Sequence, residues 1–303
     1  MESEKGNYPI QVLCRVMAVN RSVYYAYVQR KNRPSGESAQ RQSQQVKECF
    51  ALHRRRYGSR RIAKELKMGR FRTRRLMKEQ NLQAIQPKSY VPRTTDSKHG
   101  GRISPNLLKE NKSEVTQKGQ AMVGDITYLA LRNGKFCYLA TYQDKYTRRI
   151  VGWAIREDMT AELVVNALQM GLRRGLIGKE AIIHTDRGSQ YVAHSYRELL
   201  ERQKLRQSMS GKGNCYDNAQ AESFFARFKA ELVEGGVFED VAQARSETFS
   251  YIEGYYNRIR RHSGLGYLSP LEFEKELAAK EKSQAEKLTK KEERSVSFVS
   301  CGT

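Results

Sequence analysis

Met122-Val123-Gly124-Asp125-Ile126-Thr127-Tyr128-Leu129, then Asn133-Gly134, then Phe136-Cys137-Tyr138-Leu139-Ala140-Thr141-Tyr142, is the stretch that decides the fold. Both runs are rich in β-branched and aromatic residues, which suit a pleated surface. Asn-Gly accepts the positive φ angles of a tight hairpin turn, so two antiparallel strands are expected. Arg149-Ile150-Val151-Gly152-Trp153-Ala154-Ile155 reads as a third strand. Downstream the period lengthens, with Leu163, Val164, Ala167, Leu168 and Leu172 at helical spacing over residues 160–174. Ala181-Ile182-Ile183-His184-Thr185 is a short apolar run of the kind a buried strand shows, ending at Asp186. Strands in hairpin succession, a helix and a further strand predict an α/β domain with a mixed sheet. Helices are expected over 217–232 and 240–258, and the charged stretch 274–294 reads as a solvated helix.

Upstream the chain changes character. Residues 86–118 contain Pro87, Pro92 and Pro105 among polar residues and read as a linker. Before it lies a helical region over 1–85. Val12–Val19 is apolar, Asn20-Arg21-Ser22 turns and caps, and Val23-Tyr24-Tyr25-Ala26-Tyr27 continues, the layout of a helix-turn-helix. A similar unit spans 43–66, its second helix beginning after Tyr57-Gly58-Ser59 with Ser59 as N-cap and Arg60, Arg61 and Lys64 beside buried Ile62 and Leu66. The basic stretch Arg70–Met77 closes the region. An ordinary helical bundle with a charged face fits the same pattern.

Charge separates the two parts. Residues 1–110 hold 25 basic and 8 acidic side chains, +17 of the chain's +22. So basic a block should meet a polyanion, and nucleic acid is the commonest, although charge does not choose DNA over RNA. Five scattered cysteines without a C-x-x-C pair argue against a disulfide framework and a zinc site. No apolar run is long enough to span a membrane, and Met1-Glu2-Ser3-Glu4-Lys5 does not read as a signal peptide, so a cytoplasmic protein is expected.

Three acids stand out. Asp125 lies inside an apolar strand, where an unpaired carboxylate is expensive. Asp186 lies at the carboxyl end of a buried strand, where α/β sheets place ligands. Glu222 lies in a helix read as starting at Asp217, with Gln220 as its capping-box partner. Each acid alone could be a cap or a surface charge. Converging, they would repel one another unless a cation intervened. Oxygen donors without His or Cys neighbours suit Mg²⁺ or Mn²⁺, and two such ions can run an in-line phosphodiester displacement.

The ordered motifs resemble those of the DDE transposases of two-frame bacterial insertion sequences, relatives of the retroviral integrases, across residues 8–273. They are Asp125-Ile126-Thr127-Tyr128, His184–Tyr191, Ser208–Ala219, Ala221-Glu222-Ser223-Phe224-Phe225, Tyr256–Ser263 and Gly266-Tyr267-Leu268-Ser269-Pro270. Thirty-five residues separate Asp186 from Glu222, the family's spacing. Two departures show: Ala121-Met122 stand where members usually carry a Trp, and the segment between Leu66 and Arg70 is shorter.

The resemblance implies a ribonuclease-H-like catalytic core over 119–235 with a mixed five-stranded sheet. An all-α, helix-turn-helix-like DNA-binding region precedes it, and C-terminal helices and a charged tail follow over 236–303. It implies Asp125, Asp186 and Glu222 as ligands of two magnesium ions, manganese being able to replace them. Lys229, about 10 Å along the helix from Glu222 on the same face, matches a position that contacts terminal DNA. Arg60, Arg61, Arg187, Asn257, Arg258, Arg261 and His262 are the further DNA-binding candidates. The implied activity is cleavage at the element's ends and strand transfer by the 3′ hydroxyl. The implied partners are double-stranded DNA (terminal inverted repeats and target), further copies of the chain in a homo-oligomer, and the upstream-frame product as a fusion. The setting is the bacterial nucleoid.

Overall fold

The computed structural model describes residue 4 and residues 6–32, 37–86, 102–110, 115–211, 219–232 and 237–299. Met1–Ala84 and Ile85–Thr303 form two compact units. Asp217, expected to cap the helix that bears Glu222, lies outside the described residues, as do most of the Ser208–Ala219 motif and much of the expected linker.

The first unit is all helical. α1 (Ile10–Val16) and α2 (Arg21–Asn32) are joined by a turn in which Asn20 Oδ1 accepts from Ser22 N at 3.0 Å and Ser22 Oγ at 2.8 Å, the local cap its side chain favours. α3 (Glu37–Leu52), α4 (Ser59–Glu65) and α5 (Arg70–Glu79) pack together over Val46, Phe50, Tyr57, Ile62, Leu76 and Met77. The N-cap of α4 is Gly58 and not Ser59, whose side chain makes no cap bond. The basic stretch from Arg70 is a full helix, α5, which packs on both α3 and α4, so a second helix pair, α4 with α5, follows the α3–α4 pair expected at 43–66.

In the second unit β1 (Ala121–Leu131) and β2 (Phe136–Asp144) form the expected hairpin, β3 (Ile150–Arg156) pairs with β2, and both pairings are antiparallel. After α7 (Ala161–Arg173), β4 (Ile182–Thr185) lies parallel to β1. The helices α8 (Ser189–Val192) and α9 (His194–Arg202) then lead to β5 (Arg206–Met209), parallel to β4. The order β3-β2-β1-β4-β5 is the mixed five-stranded sheet of a ribonuclease-H-like core, extended by the two-residue β6 (Val237–Phe238) beside β1.

Both faces are covered, because the strands carry apolar side chains on both sides. On one face Met122, Ala140, Tyr142 and Ile183 pack against Leu163, Leu168, Tyr196 and Leu200 of α7 and α9. On the other Leu129, Cys137, Leu139, Trp153 and Ile155 meet Phe224, Phe225 and Phe228 of α10 (Ala219–Leu232). α11 (Val241–Phe249) and a π-helical turn (Ser250–Tyr256) complete that second layer with Ala244, Tyr251, Ile252 and Tyr256. Gly152 sets the closeness of the first layer, since a Cβ there would stand 2.1 Å from Ala167 O of α7. Ala121 and Met122, where a Trp was the family habit, are wholly buried. Residues 102–110 include α6 (Leu107–Glu110), and Ser104 Oγ donates to Gln207 Oε1 at 2.8 Å, tying this segment to β5. α12 (Pro270–Val299) is the long charged helix; Arg149 Nη1 meets Glu274 of its first turns at 2.7 Å. Among the described residues no helix is long and apolar enough to cross a membrane.

Candidate active site

Strand register supplies the first two carboxylates. β1 and β4 run parallel with Val123 opposite His184. Two residues on, β1 presents Asp125 and the chain leaving β4 presents Asp186, on strands about 4.8 Å apart. The third comes from the helical layer: α10 packs against β1 and carries Glu222 in its first turn.

The electrostatics record the convergence. Burial raises the Asp125 carboxyl well above its usual range, the Asp186 charge raises it further, and Glu222 adds to the rise. The Ile126 amide, which donates to Asp125 Oδ1 at 2.8 Å, and the Lys229 charge pull the other way without cancelling it. Asp186 Oδ1 accepts from Gly188 N at 3.1 Å. Glu222 is the most open of the three, yet desolvation still raises its carboxyl. Lys229 is half-buried, its Nζ 4.1 Å from the centroid of the Tyr128 ring, a cation–π contact. Desolvation lowers its pKa and Asp125 opposes that shift.

Asp144 shows what a structural aspartate looks like in the same sheet. It is also buried, and burial also raises its pKa. But its carboxylate accepts from three amides, Gly119 N at 2.6 Å, Tyr146 N at 2.7 Å and Thr147 N at 2.9 Å. Those bonds knit the β2–β3 turn to the start of β1. Asp125 has one such donor and two acidic neighbours, an arrangement that costs energy and closes no turn.

The donor set fits a hard divalent cation: three carboxylates, with repulsion at Asp125 that such a charge would relieve. Among the described residues, however, no three His, Cys, Asp or Glu side chains are drawn tightly enough to cage an ion. The three acids interact without closing.

Asp125, Asp186, Glu222 and Lys229 are thus brought together. Arg187 follows Asp186, its Nε donating to Ser210 O at 2.8 Å. Arg60 is exposed on α4, and Arg61 lies 5.6 Å from the Tyr57 ring. Arg258 is exposed, Arg261 donates to Tyr267 O at 2.9 Å, and His262 packs edge-on to Tyr256 at 4.8 Å. Asn257 is another matter. At 2% exposure its amide accepts from Ile150 N and donates to Ile150 O, both at 3.0 Å, so it clamps the start of β3 where a duplex has no access.

Sequence reading missed two supports. Glu231, near the end of α10, accepts from Arg260 at 2.8 and 2.6 Å and from Tyr251 OH at 2.8 Å, a buried cluster that fixes the helix bearing Glu222 and Lys229. An acid nine residues after Glu222, in a stretch otherwise apolar on that face, was the available signal. His184 is wholly buried, with ring nitrogens 2.8 Å from Ser208 Oγ and 3.2 Å from Ser210 Oγ, and it joins β4 to the β5 side of the sheet two residues before Asp186.

Comparison with known proteins shows the family to which these domains belong. Residues 115–215 match the integrase core domain, 203–270 a second integrase core domain model, and 37–90 an HTH-like domain. The chain is 38% identical over 281 residues to the transposase InsF for insertion sequence IS3A of Escherichia coli (strain K12), covering 90% of this chain and 96% of that protein. It is 41% identical over 266 residues to the insertion element IS600 uncharacterized 31 kDa protein of Shigella sonnei, covering 86% and 97% respectively. Among solved structures it is similar to the HTLV-2 integrase catalytic core domain in complex with magnesium, at 10% identity, 53% of this chain, 99% of that one and a TM-score of 0.41.

Proposed function

Because the chain belongs to the IS3-type insertion-sequence transposases, we propose that Asp125, Asp186 and Glu222 are the catalytic carboxylates of a DDE-type reaction on the element's own DNA ends. The observation that carries this reading is Asp125, a carboxylate in an apolar strand whose neighbours are two more acids. A fold does not keep such a group for stability, and a functional site is where uncompensated charge is expected.

Asp125 and Asp186, fixed by adjoining strands, and Glu222, carried by a separate layer, are proposed to hold two divalent ions, magnesium or manganese. Bound there, such ions supply Lewis acidity and lower the pKa of a coordinated water. The residues themselves orient and neutralise. The sheet holds Asp125 and Asp186 rigidly, while α10 sets the distance of Glu222. Lys229, in the same cleft, engages a phosphate of the terminal DNA through its ammonium. Arg187, Arg258, Arg261 and His262 contribute to the path of the duplex in the second unit, and Arg60 and Arg61 are DNA contacts of the first unit by itself. Hydrolysis frees a 3′ hydroxyl at the element's end, which then displaces a second phosphodiester. Two ends must meet one target, so the active complex holds more than one copy, with the upstream-frame product joined as a fusion.

The test is strand transfer on an oligonucleotide duplex carrying an element end. Asp125→Asn, Asp186→Asn and Glu222→Gln are each expected to abolish cleavage and joining in magnesium or manganese while duplex binding persists. Calcium should support binding without turnover, its looser coordination fitting the chemistry poorly. A variant that transfers strands at the wild-type rate removes its residue from the mechanism.

A further inference from the structure

We propose that α5, not α4, is the DNA-reading helix of the first unit, with Phe71 and Arg75 at the centre of the surface it lays into a major groove. The choice of DNA over RNA rests on the transposase reading above; the choice of helix does not.

α4 and α5 are joined by residues 66–69, a four-residue turn in which Lys67 has φ +50° and Gly69 precedes α5. Two packed helices joined by a turn of this length make a helix-turn-helix, and the second of the pair enters the groove. Thr73, Leu76 and Met77 face inward, and Thr73 Oγ1 donates to Gly69 O at 3.1 Å, fixing the helix start against the turn. At about 100° per residue the opposite direction falls on Phe71, Arg75 and Lys78, flanked by Arg74.

Phe71 is 84% exposed, more than any other large apolar side chain among the described residues. A lone exposed apolar residue is ordinary. This one is different because every charged residue from Lys67 to Lys78 is basic. A protein partner would have to bring an acidic surface with an apolar socket. A duplex offers both requirements at once: phosphates along the rim for the cations, and thymine methyls or a base step on the groove floor for the ring. Arg75 is exposed and pairs with Glu79 at 3.5 Å, an exposed contact of the kind that exchanges readily for a guanine edge. Arg60, exposed on α4, is placed as a phosphate contact that sets orientation without reading sequence.

The experiment uses the full chain and a pool of duplexes with a randomised stretch, followed by titrations against the enriched and a scrambled duplex. Wild type should enrich a motif. Phe71→Ala and Arg75→Ala should each lose about tenfold of the preference for it, at unchanged unfolding midpoint. Arg60→Ala should weaken both duplexes alike and flatten the salt dependence. The proposal is overturned if wild type enriches nothing, or if Arg60→Ala erases the preference while the α5 variants keep it. It also falls if Phe71→Ala changes the oligomeric state and leaves the preference intact, the signature of a protein interface. Asp186→Asn must enrich the same motif as wild type. If Asp186→Asn instead transfers strands normally, the catalytic reading falls and the helix assignment stands.

Discussion

α10 carries an acid at each end, and the two are held in opposite ways. Glu231, in the last turn, is buried and met by a bidentate Arg260 and the Tyr251 hydroxyl. Glu222, in the first turn, is open, and its charge is one of two that push the Asp125 carboxyl upward. A buried ion pair with its lone pairs filled belongs to architecture. Acids set against acids with one amide and one lysine to offset them belong to chemistry. Under the function proposed for Glu222, the helix joins a clamp to a catalytic arm, and the clamp sets where the arm stands.

The same substitution at the two ends should separate these roles. Glu222→Gln should cost several kcal/mol of transition-state stabilisation, about three decades or more of strand transfer, with no loss of folding stability. Glu231→Gln or Arg260→Ala should leave one buried partner uncompensated and lower the unfolding free energy by ~3–5 kcal/mol, read from urea denaturation. Activity of the Glu231→Gln protein, measured well below its midpoint, should fall far less than that of Glu222→Gln. Equal losses of activity at the two ends would break the distinction. Replacing both clamp residues together, Glu231→Leu with Arg260→Met, should recover much of the stability.

Sequence spoke clearly about one end and was silent about the other. The Asp125 strand was legible because its polarity violates an apolar pattern, and Asp186 because the run before it is short, apolar and ends there. Glu222 was legible through spacing, that is, through the family resemblance rather than through local pattern. Arg260 read as one more basic residue in Tyr256–Ser263, because the partner that neutralises it is 29 residues away. Asn257 misled for the same reason: its spending on Ile150, 107 residues earlier, is a tertiary fact. Phe225 stands three residues after Glu222 and four before Lys229, on their side of α10 by helical spacing, yet it is 6% exposed in the core, since the apolar face of this helix is wider than an i, i+4 stripe. Four strands were legible as patterns and the fifth came only with the family resemblance, whereas β6 has only two residues and no periodicity to detect.

Lys229 lies between the two ends and sharpens the comparison at smaller scale. Its ammonium rests on Tyr128 and feels Asp125, so it is neither a clamp nor a free surface charge. A charge-assisted phosphate contact from such a position is worth ~1.5–3 kcal/mol, one to two decades. Lys229→Ala should slow cleavage of an intact terminal duplex by that factor with little effect on stability. Lys229→Arg should retain more activity, because the charge survives the change of donor geometry. Wild-type rates for Lys229→Ala on both pre-nicked and intact duplexes would return the lysine to ordinary surface.

The smallest effect is a gain, and it tests whether the Asp125 end is costly to the fold. In metal-free buffer with a chelator, the folded state holds a proton on Asp125 to higher pH than the unfolded chain does. Between the ordinary carboxylate pKa and the raised one, the native state therefore binds more protons, and stability falls as pH rises through that window. Asp125→Asn removes the titration and keeps an oxygen to accept from Ile126 N. The variant should match wild type in acid, where both forms are neutral. It should become more stable as pH rises through the window, with an advantage of ~0.5–2 kcal/mol at neutral pH. Adding magnesium should stabilise wild type by mass action and narrow the gap, while leaving Asp125→Asn nearly unmoved. A variant no more stable than wild type at neutral pH, with or without magnesium, would mean that Asp125 is already compensated in the fold. The contrast between the two ends of α10 would then fail at its catalytic end.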